Sequence, residues 1–340
     1  GAFLSNSPCI FLSGNSGVEE LDRLPLQEID QENMVKPVTK WAKTVYDTKR
    51  LCEYTAQAFK MCITGRPGPV YLGFPHEEVD SSQLDNPQIE MISNPEMSDE
   101  DCEKFKELLS SSSRPVILTG SGSWYSGAED SLKELVEKIN APIFTLNFGR
   151  GVVSDNHENC MGQASPSALN GFKKATSESD LIILLGVRLS LYIGWGRTFN
   201  PEAKVIQVDI EVEEIGRNRP ADLPILSDIR KAIVKLNSNL GKDLNFTKWL
   251  DTCKEWKREE WSQVEKLKLS DKKPLHVLRV VKAVEDYFGK DIMLCIDGGD
   301  TQAWTDSTYN VDSSGIYVKG GPLGCMGVGV PFALGSKTAF

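Results

Sequence analysis

Apolar and polar positions along these 340 residues alternate between short buried-strand runs and stretches at helical spacing. In the first 80 residues, Pro8 to Leu12 and Val70 to Phe74 predict buried strands, and Leu51 to Cys62 carries apolar residues at helical spacing between them. That is half of a βαβ-type domain. Residues 81 to 98 are polar, unpatterned and contain Pro and Asn, which marks a linker. Ser98-Asp-Glu-Asp then offers capping side chains and acidic first-turn residues, which predicts a helix over Glu100 to Leu109. From Pro115 to about Leu236, strand, glycine turn and helix repeat, with Val116 to Thr119, Ile143 to Thr145, Leu181 to Leu185 and Val205 to Val208 as strands. The pattern predicts a Rossmann-like, doubly wound α/β domain with a parallel sheet. Asn237 to Asn245 is a second linker, Phe246 to Leu269 a highly charged helical segment, and His276 to Tyr287 an amphipathic helix leading into a strand over Asp291 to Asp297.

Composition narrows the class. With 40% hydrophobic and 25% charged residues the chain can bury substantial cores and is expected to be a soluble intracellular protein of two or more domains. A net charge of −10 argues against nucleic acid as a partner, because neutralising phosphates needs clustered Lys and Arg. The longest apolar runs, such as Leu181 to Val187, are too short to span a bilayer, so no membrane association is expected. The eight cysteines form no Cys-x-x-Cys pair, and those in apolar runs, Cys9, Cys62 and Cys295 among them, suit reduced core thiols. Three distant histidines, His76, His157 and His276, argue against a zinc cluster or a His-based triad. Trp249, Trp256 and Trp261 stand among mixed charges, which favours packing over base stacking.

Candidate chemistry lies in the glycine-rich segments. Asp291 to Asp297 runs directly into Gly298-Gly-Asp-Thr-Gln-Ala-Trp304, a strand and glycine turn of the kind that hold phosphates at a helix N-terminus. Farther on, Gly320 to Gly335 has repeated glycines that permit close approach, with Met326 placed among them as if to prop a ligand. In the central domain, Gly120-Ser-Gly122, Gly186-Val-Arg188 and Asp209-Ile210 follow strands and are the residue types that bind a dinucleotide. Asp209 equally suits the capping of a turn, and Arg188 a solvated surface charge.

Taken in order, these segments resemble the thiamine-diphosphate enzymes of the acetolactate synthase group. Gln27 to Gln31, Lys36 to Lys40 and Gly65-Arg-Pro-Gly-Pro-Val-Tyr-Leu72 resemble the end of the pyrimidine-binding domain (residues 1–80). Arg114 to Gly122, Gly149-Arg-Gly-Val-Val-Ser-Asp-Asn-His157, Asp180 to Arg188 and Lys204 to Ile210 resemble the central domain (98–238). The two C-terminal motifs resemble the start of the diphosphate-binding domain (272–340). The expected architecture is thus a complete central domain flanked by partial pyrimidine-binding and diphosphate-binding domains. The family's catalytic glutamate and its Mg²⁺-holding Gly-Asp-Gly motif have no match, so the chain is expected to be incomplete at both ends and inactive alone, with no catalytic or metal residue of its own.

The resemblance implies thiamine diphosphate held by Gly299, Asp300, Thr301, Gly324, Cys325, Met326 and Gly327, with Mg²⁺ on the diphosphate. It implies FAD or ADP, or no nucleotide, in the central domain, with Arg66, Gly120, Gly122, Gly186, Arg188, Asp209 and Ile210 as contacts. Gln27 and Lys40 fall where the family lines a substrate channel. The implied substrate is a 2-keto acid, or an acyl-CoA if the chain is closer to 2-hydroxyacyl-CoA lyases and oxalyl-CoA decarboxylases, whose Gly-Gly-Asp version Asp300 matches. A non-catalytic nucleotide-binding module is the reading from another class. A homodimer or homotetramer in the cytoplasm is the implied setting, organelle targeting being open.

Overall fold

The computed structural model describes residues 1–76, 89–165, 170–241, 243–289 and 292–339. Residues 81–88 of the expected linker, Asp291 at the start of the last expected strand, and Phe340 lie outside the described residues. The chain forms two compact units, Gly1–Asn94 with Gly321–Leu323, and Pro95–Gly320 with Gly324–Phe340.

The first unit contains helix α1 (Ala2–Ser5) and strand β1 (Ile10–Asn15), then α2 (Gln31–Val35), β2 (Trp41–Thr44), α3 (Leu51–Ile63) and β3 (Val70–Pro75). Its parallel sheet runs β1-β3-β2. Ala58 and Cys62 of α3 bury against Val45, Val70 and Leu72. β1 starts two residues later than the apolar run suggests, because Phe11 and Leu12 are exposed and pairing is carried on to Asn15. β2 is absent from the sequence reading: at four residues, Trp-Ala-Lys-Thr offers too short an alternation to detect.

The second unit is built on one parallel sheet. Its elements are α4 (Asp99–Ser111), β4 (Pro115–Thr119), α5 (Ser121–Tyr125), α6 (Glu129–Ile139), β5 (Ile143–Thr145), β6 (Cys160–Gln163), α7 (Asn170–Glu178), β7 (Leu181–Leu185), β8 (Lys204–Asp209), β9 (Leu223–Leu226) and α8 (Ile229–Asn239). They are followed by α9 (Thr247–Lys268), α10 (Val277–Phe288), β10 (Leu294–Ile296), α11 (Asp300–Thr308), β11 (Tyr317–Lys319) and α12 (Gly329–Ala339). The six-stranded sheet has the order β6-β5-β4-β7-β8-β9, the 3-2-1-4-5-6 arrangement of a doubly wound fold, and β10 and β11 pair separately.

Strand residues alternate between two buried layers, as a sheet covered on both faces requires. Ile117, Ile183 and Ile206 face Phe105, Leu109, Leu135, Ile139 and Leu236 of α4, α6 and α8. Val116, Leu118, Ile182 and Leu184 face Phe172 of α7 and Trp249 and Leu250 of α9. Each of these fully buried Leu or Ile side chains contributes about 1.5–3 kcal/mol relative to exposure. Helix starts follow local chemistry: Ser98 accepts from Asp101 N–H at 3.0 Å and Asp228 from Lys231 N–H at 3.1 Å. α8 runs to Asn239, so the expected linker from Asn237 begins later; Asn237 is buried and donates to Ser131 O at 2.9 Å. Trp249 Nε1 donates to Pro115 O at 3.1 Å, Trp256 meets it edge-on, and Trp261 packs beside Val264, Leu278 and Val281.

α9 also caps its neighbour. Glu260 accepts the Gly171 N–H in the first turn of α7. Burial pushes its carboxyl up to about 7, against the lowering influence of the Gly171 N–H and of Lys174. A carboxyl raised in the folded state binds more protons there than in the unfolded chain. Its stabilising contribution is therefore full below the ordinary value of 4.5 and is lost as pH rises towards about 7. Glu260→Gln, which retains an acceptor for Gly171, should show a smaller fall in Tm than the unmodified protein between those pH values. Parallel thermal melts check this, and identical pH profiles would refute it.

Candidate functional site

The two C-terminal glycine motifs meet across one carboxylate. Asp297, one residue past β10, accepts Gly298 N–H at 2.7 Å, Gly327 N–H at 2.9 Å and Gly329 N–H at 3.2 Å. These backbone donors, Gly298 foremost and Gly329 next, hold its carboxyl below the usual aspartate range. The strand end is thereby tied both to the turn entering α11 and to the loop entering α12. Sequence reading placed Asp297 only as the end of a strand. A signal was available in principle, since an acidic residue between a buried strand and Gly-Gly suits bonding to the turn's own amides.

Around that tie the backbone leaves no room for side chains. A Cβ at Gly298 would sit 3.5 Å from Cys325 O and 3.8 Å from Met326 Sδ, and one at Gly320 would sit 3.4 Å from Cys325 O. Gly299, Gly324 and Gly327 have φ of 80°, 67° and 80°, values that L side chains rarely adopt. Gly299 is the N-cap of α11 and brings no side chain to its first-turn N–H groups, while Asp300 and Thr301 are exposed. Cys325 and Met326 are exposed as well, Met326 at 73%. The structure thus brings Gly299, Asp300, Thr301, Gly324, Cys325, Met326 and Gly327 into one region: a helix N-terminus with uncapped donors facing a glycine loop that displays a methionine. Such a cradle fits a diphosphate with an attached aromatic group.

In the central sheet the strand order reverses between β4 and β7, and Gly120, Gly122 and Gly186 lie at the carboxyl ends of those strands. Their backbones touch. Gly122 N–H donates to Gly186 O at 3.2 Å, and Gly149 also abuts Gly120, where a Cβ would come within 2.6 Å of its carbonyl oxygen. Arg188 Nε donates to Glu214 Oε1 at 3.0 Å, and Asp209 accepts Glu211 N–H at 2.9 Å, capping the turn in which Ile210 is half-buried. The switch point is present, but these contacts already engage its charged side chains within the protein.

In the first unit, Gln27 is exposed with φ 63° and lines an open cleft with Asn15, Gln31, Thr44 and Tyr46. The best-connected polar side chain there is Gln31: its Oε1 accepts from Ser13 Oγ at 3.0 Å and from the Tyr71 hydroxyl, and its Nε2 donates to Gly14 O at 3.3 Å. Lys40 is not part of that lining; its Nζ donates to Thr64 O at 2.9 Å and its stem packs where Gly68 lacks a Cβ. Arg66 is half-buried in the turn between α3 and β3.

Residues 102–236 match the family described as thiamine pyrophosphate enzyme, central domain. Over 99% of its length the chain is 30% identical to a probable acetolactate synthase large subunit of Methanococcus aeolicus and 28% identical to the acetolactate synthase large subunit of Lactococcus lactis. It is also 28% identical, over 99% of its length, to oxalyl-CoA decarboxylase of Escherichia coli. The chain spans about 60% of the length of these curated relatives. Among the described residues, no helix is long and apolar enough to cross a membrane. With a matching central domain, a parallel α/β architecture and similarity along nearly its whole length, the chain is a member of the thiamine pyrophosphate enzyme family, similar to acetolactate synthase large subunits.

Proposed function

We propose that this chain supplies the diphosphate-binding part of a thiamine-diphosphate-dependent enzyme acting on 2-keto acids, of the acetolactate synthase type. The observation that carries the reading is the Asp297 tie, which joins the α11 turn to the loop bearing Met326. When bound, thiamine diphosphate supplies an electron sink for the carbon skeleton of the substrate. The first-turn N–H groups of α11, at Asp300 and Thr301, receive the diphosphate, and the Gly324–Gly327 backbone and Met326 orient the ring end. Mg²⁺ accompanies the diphosphate, and no ligand for it is assigned within this chain. The assembled enzyme on this reading is a homodimer or homotetramer.

Titration of thiamine diphosphate with Mg²⁺, followed by amide exchange, tests the site. Protection is expected at Gly298–Thr301 and Gly324–Gly329, and Asp297→Ala should weaken binding roughly tenfold or more by removing a charged acceptor of backbone N–H groups. Protection elsewhere, or none, would overturn the assignment.

Acyl-CoA chemistry is the second reading, favoured by the comparable similarity to oxalyl-CoA decarboxylase. The central domain then binds ADP or a CoA nucleotide, whereas the synthase reading is compatible with FAD. In either case the nucleotide lies at the β4–β7 switch point, and Arg188 exchanges Glu214 for a phosphate. Absorbance of the material released on denaturation separates flavin from adenine nucleotide.

A further inference from the structure

Beyond the cradle, the second unit buries a compact group of charges that the proposed binding does not use. Asp306, on α11, is 7% exposed. Its Oδ1 accepts the Tyr317 hydroxyl and its Oδ2 accepts Lys319 Nζ at 2.6 Å. Arg150 Nη1 donates to the Asp306 carbonyl at 2.9 Å, and Arg150 Nη2 donates to Asp155 Oδ2 at 2.5 Å and to Tyr309 O at 2.8 Å. Lys319 is 5% exposed and its ammonium lies 5.5 Å from the Tyr192 ring. Burial pulls its pKa below the ordinary lysine value, with Asp306 opposing the shift.

The position of this carboxylate matters more than its charge balance. Asp306 lies six residues beyond Asp300 on the same helix, about 9 Å along its axis. Tyr317 and Lys319 bracket β11, and Gly320, which packs on Cys325 O, follows at once. One side chain therefore fastens the helix that presents the first-turn N–H groups to the strand that feeds the Met326 loop. Asp297 ties the same two segments at their near ends, and Asp306 ties them at their far ends.

We propose that Asp306 is a positioning residue for the diphosphate cradle: by bonding Tyr317 and Lys319 it holds α11 and the end of β11 in one register, so that the cradle is formed before ligand arrives. This inference rests on the thiamine-diphosphate reading above. The energetic reason for a charged tie is directional. A carboxylate with two different donors fixes both the distance and the rotation of the helix, which an apolar contact leaves freer.

The test compares the 340-residue chain with Asp306→Asn, with Asp306→Asn combined with Lys319→Met, and with Tyr317→Phe. Two quantities are read: amide exchange of the ligand-free protein at Gly298–Thr301 and Gly324–Gly329, and the Kd for thiamine diphosphate with Mg²⁺, with inorganic pyrophosphate as a second probe. Asp306→Asn strands the Lys319 charge and is expected to lower Tm. The double variant removes that charge and should recover Tm while exchange stays fast and Kd stays about tenfold weaker. Tyr317→Phe, which deletes one bond and adds no orphan charge, should weaken both probes a few-fold. If the double variant recovers Tm, exchange and affinity together, Asp306 serves stability alone and the proposal is overturned. Unchanged exchange in Tyr317→Phe and Asp306→Asn overturns it as well, whatever the ligand does. Failure of the unmodified chain to protect Gly298–Thr301 with either probe instead defeats the cofactor reading, and with it the claim that a diphosphate site is what is positioned.

Discussion

Arg150→Met is expected to destabilise the second unit by about 3–5 kcal/mol, the usual consequence of removing one partner from a buried charge pair. Arg150 is 3% exposed and satisfies the Asp155 carboxylate together with the carbonyls of Asp306 and Tyr309, and its guanidinium lies 5.0 Å from the Tyr317 ring. Met fills much of the volume but leaves Asp155 without its cation, although Val311 N–H still donates to it at 2.9 Å. Arg150→Lys keeps the charge but loses the planar fork that reaches three acceptors, so an intermediate loss is expected. Denaturant unfolding of the three proteins measures this. A loss below about 1 kcal/mol for Arg150→Met would mean that water reaches Asp155 and that the pair is not sealed.

The second large effect is expected at the central switch point. A Cβ at Gly120 would lie 2.4 Å from Gly186 O, and one at Gly122 would lie 2.7 Å from Gly186 Cα; both obstacles are backbone, which cannot rotate away. Gly186 adds a φ of 60° to a Cβ position 2.6 Å from Gly122 Cα. Gly120→Ala and Gly186→Ala should each cost about 1–3 kcal/mol or more through overpacking. Gly216→Ala is the control: its φ is 76° but nothing lies within 4 Å, so only the strain of a left-handed residue, about 1 kcal/mol, is expected. Equal melting temperatures for all three variants would show that the two turns can part easily. That result would also favour entry of a phosphate between them.

Much of this architecture was legible in the sequence because the strands of a sheet covered on both faces are continuous apolar runs. Leu181–Leu185 and Pro115–Thr119 are buried at every position and stand out from their flanks. The strands that escaped are at edges or short: Cys160–Gln163 contains Gly162 at φ 96°, and Leu223–Leu226 alternates buried and exposed positions around Pro224. At the site, the glycine motifs were visible as spacing, but their partner was not. Asp297 acts through backbone N–H groups 30 and 32 residues away, and nothing in its neighbours announces that reach. Asp306 and Lys319 read as ordinary surface charges, and only the fold shows them buried together. Lys40 shows the converse: a lysine singled out by resemblance whose ammonium caps a carbonyl of its own unit.

The strand order also determines how the chain must find itself. Ile183 pairs with Ile206, 23 residues on, but also with Ile117, 66 residues back. Closing the longer loop costs about 1 kcal/mol more in chain entropy than closing the shorter one. Ile117 reaches Ile143, and Ile143 reaches Cys160, over spans as local as that from Ile206 to Leu223. The sheet is therefore two locally wired ribbons, β4-β5-β6 and β7-β8-β9, joined by a single long-range zipper at β4–β7. Contact order places the slow step of folding at that zipper. The glycine seam is in this sense the last stitch of the domain.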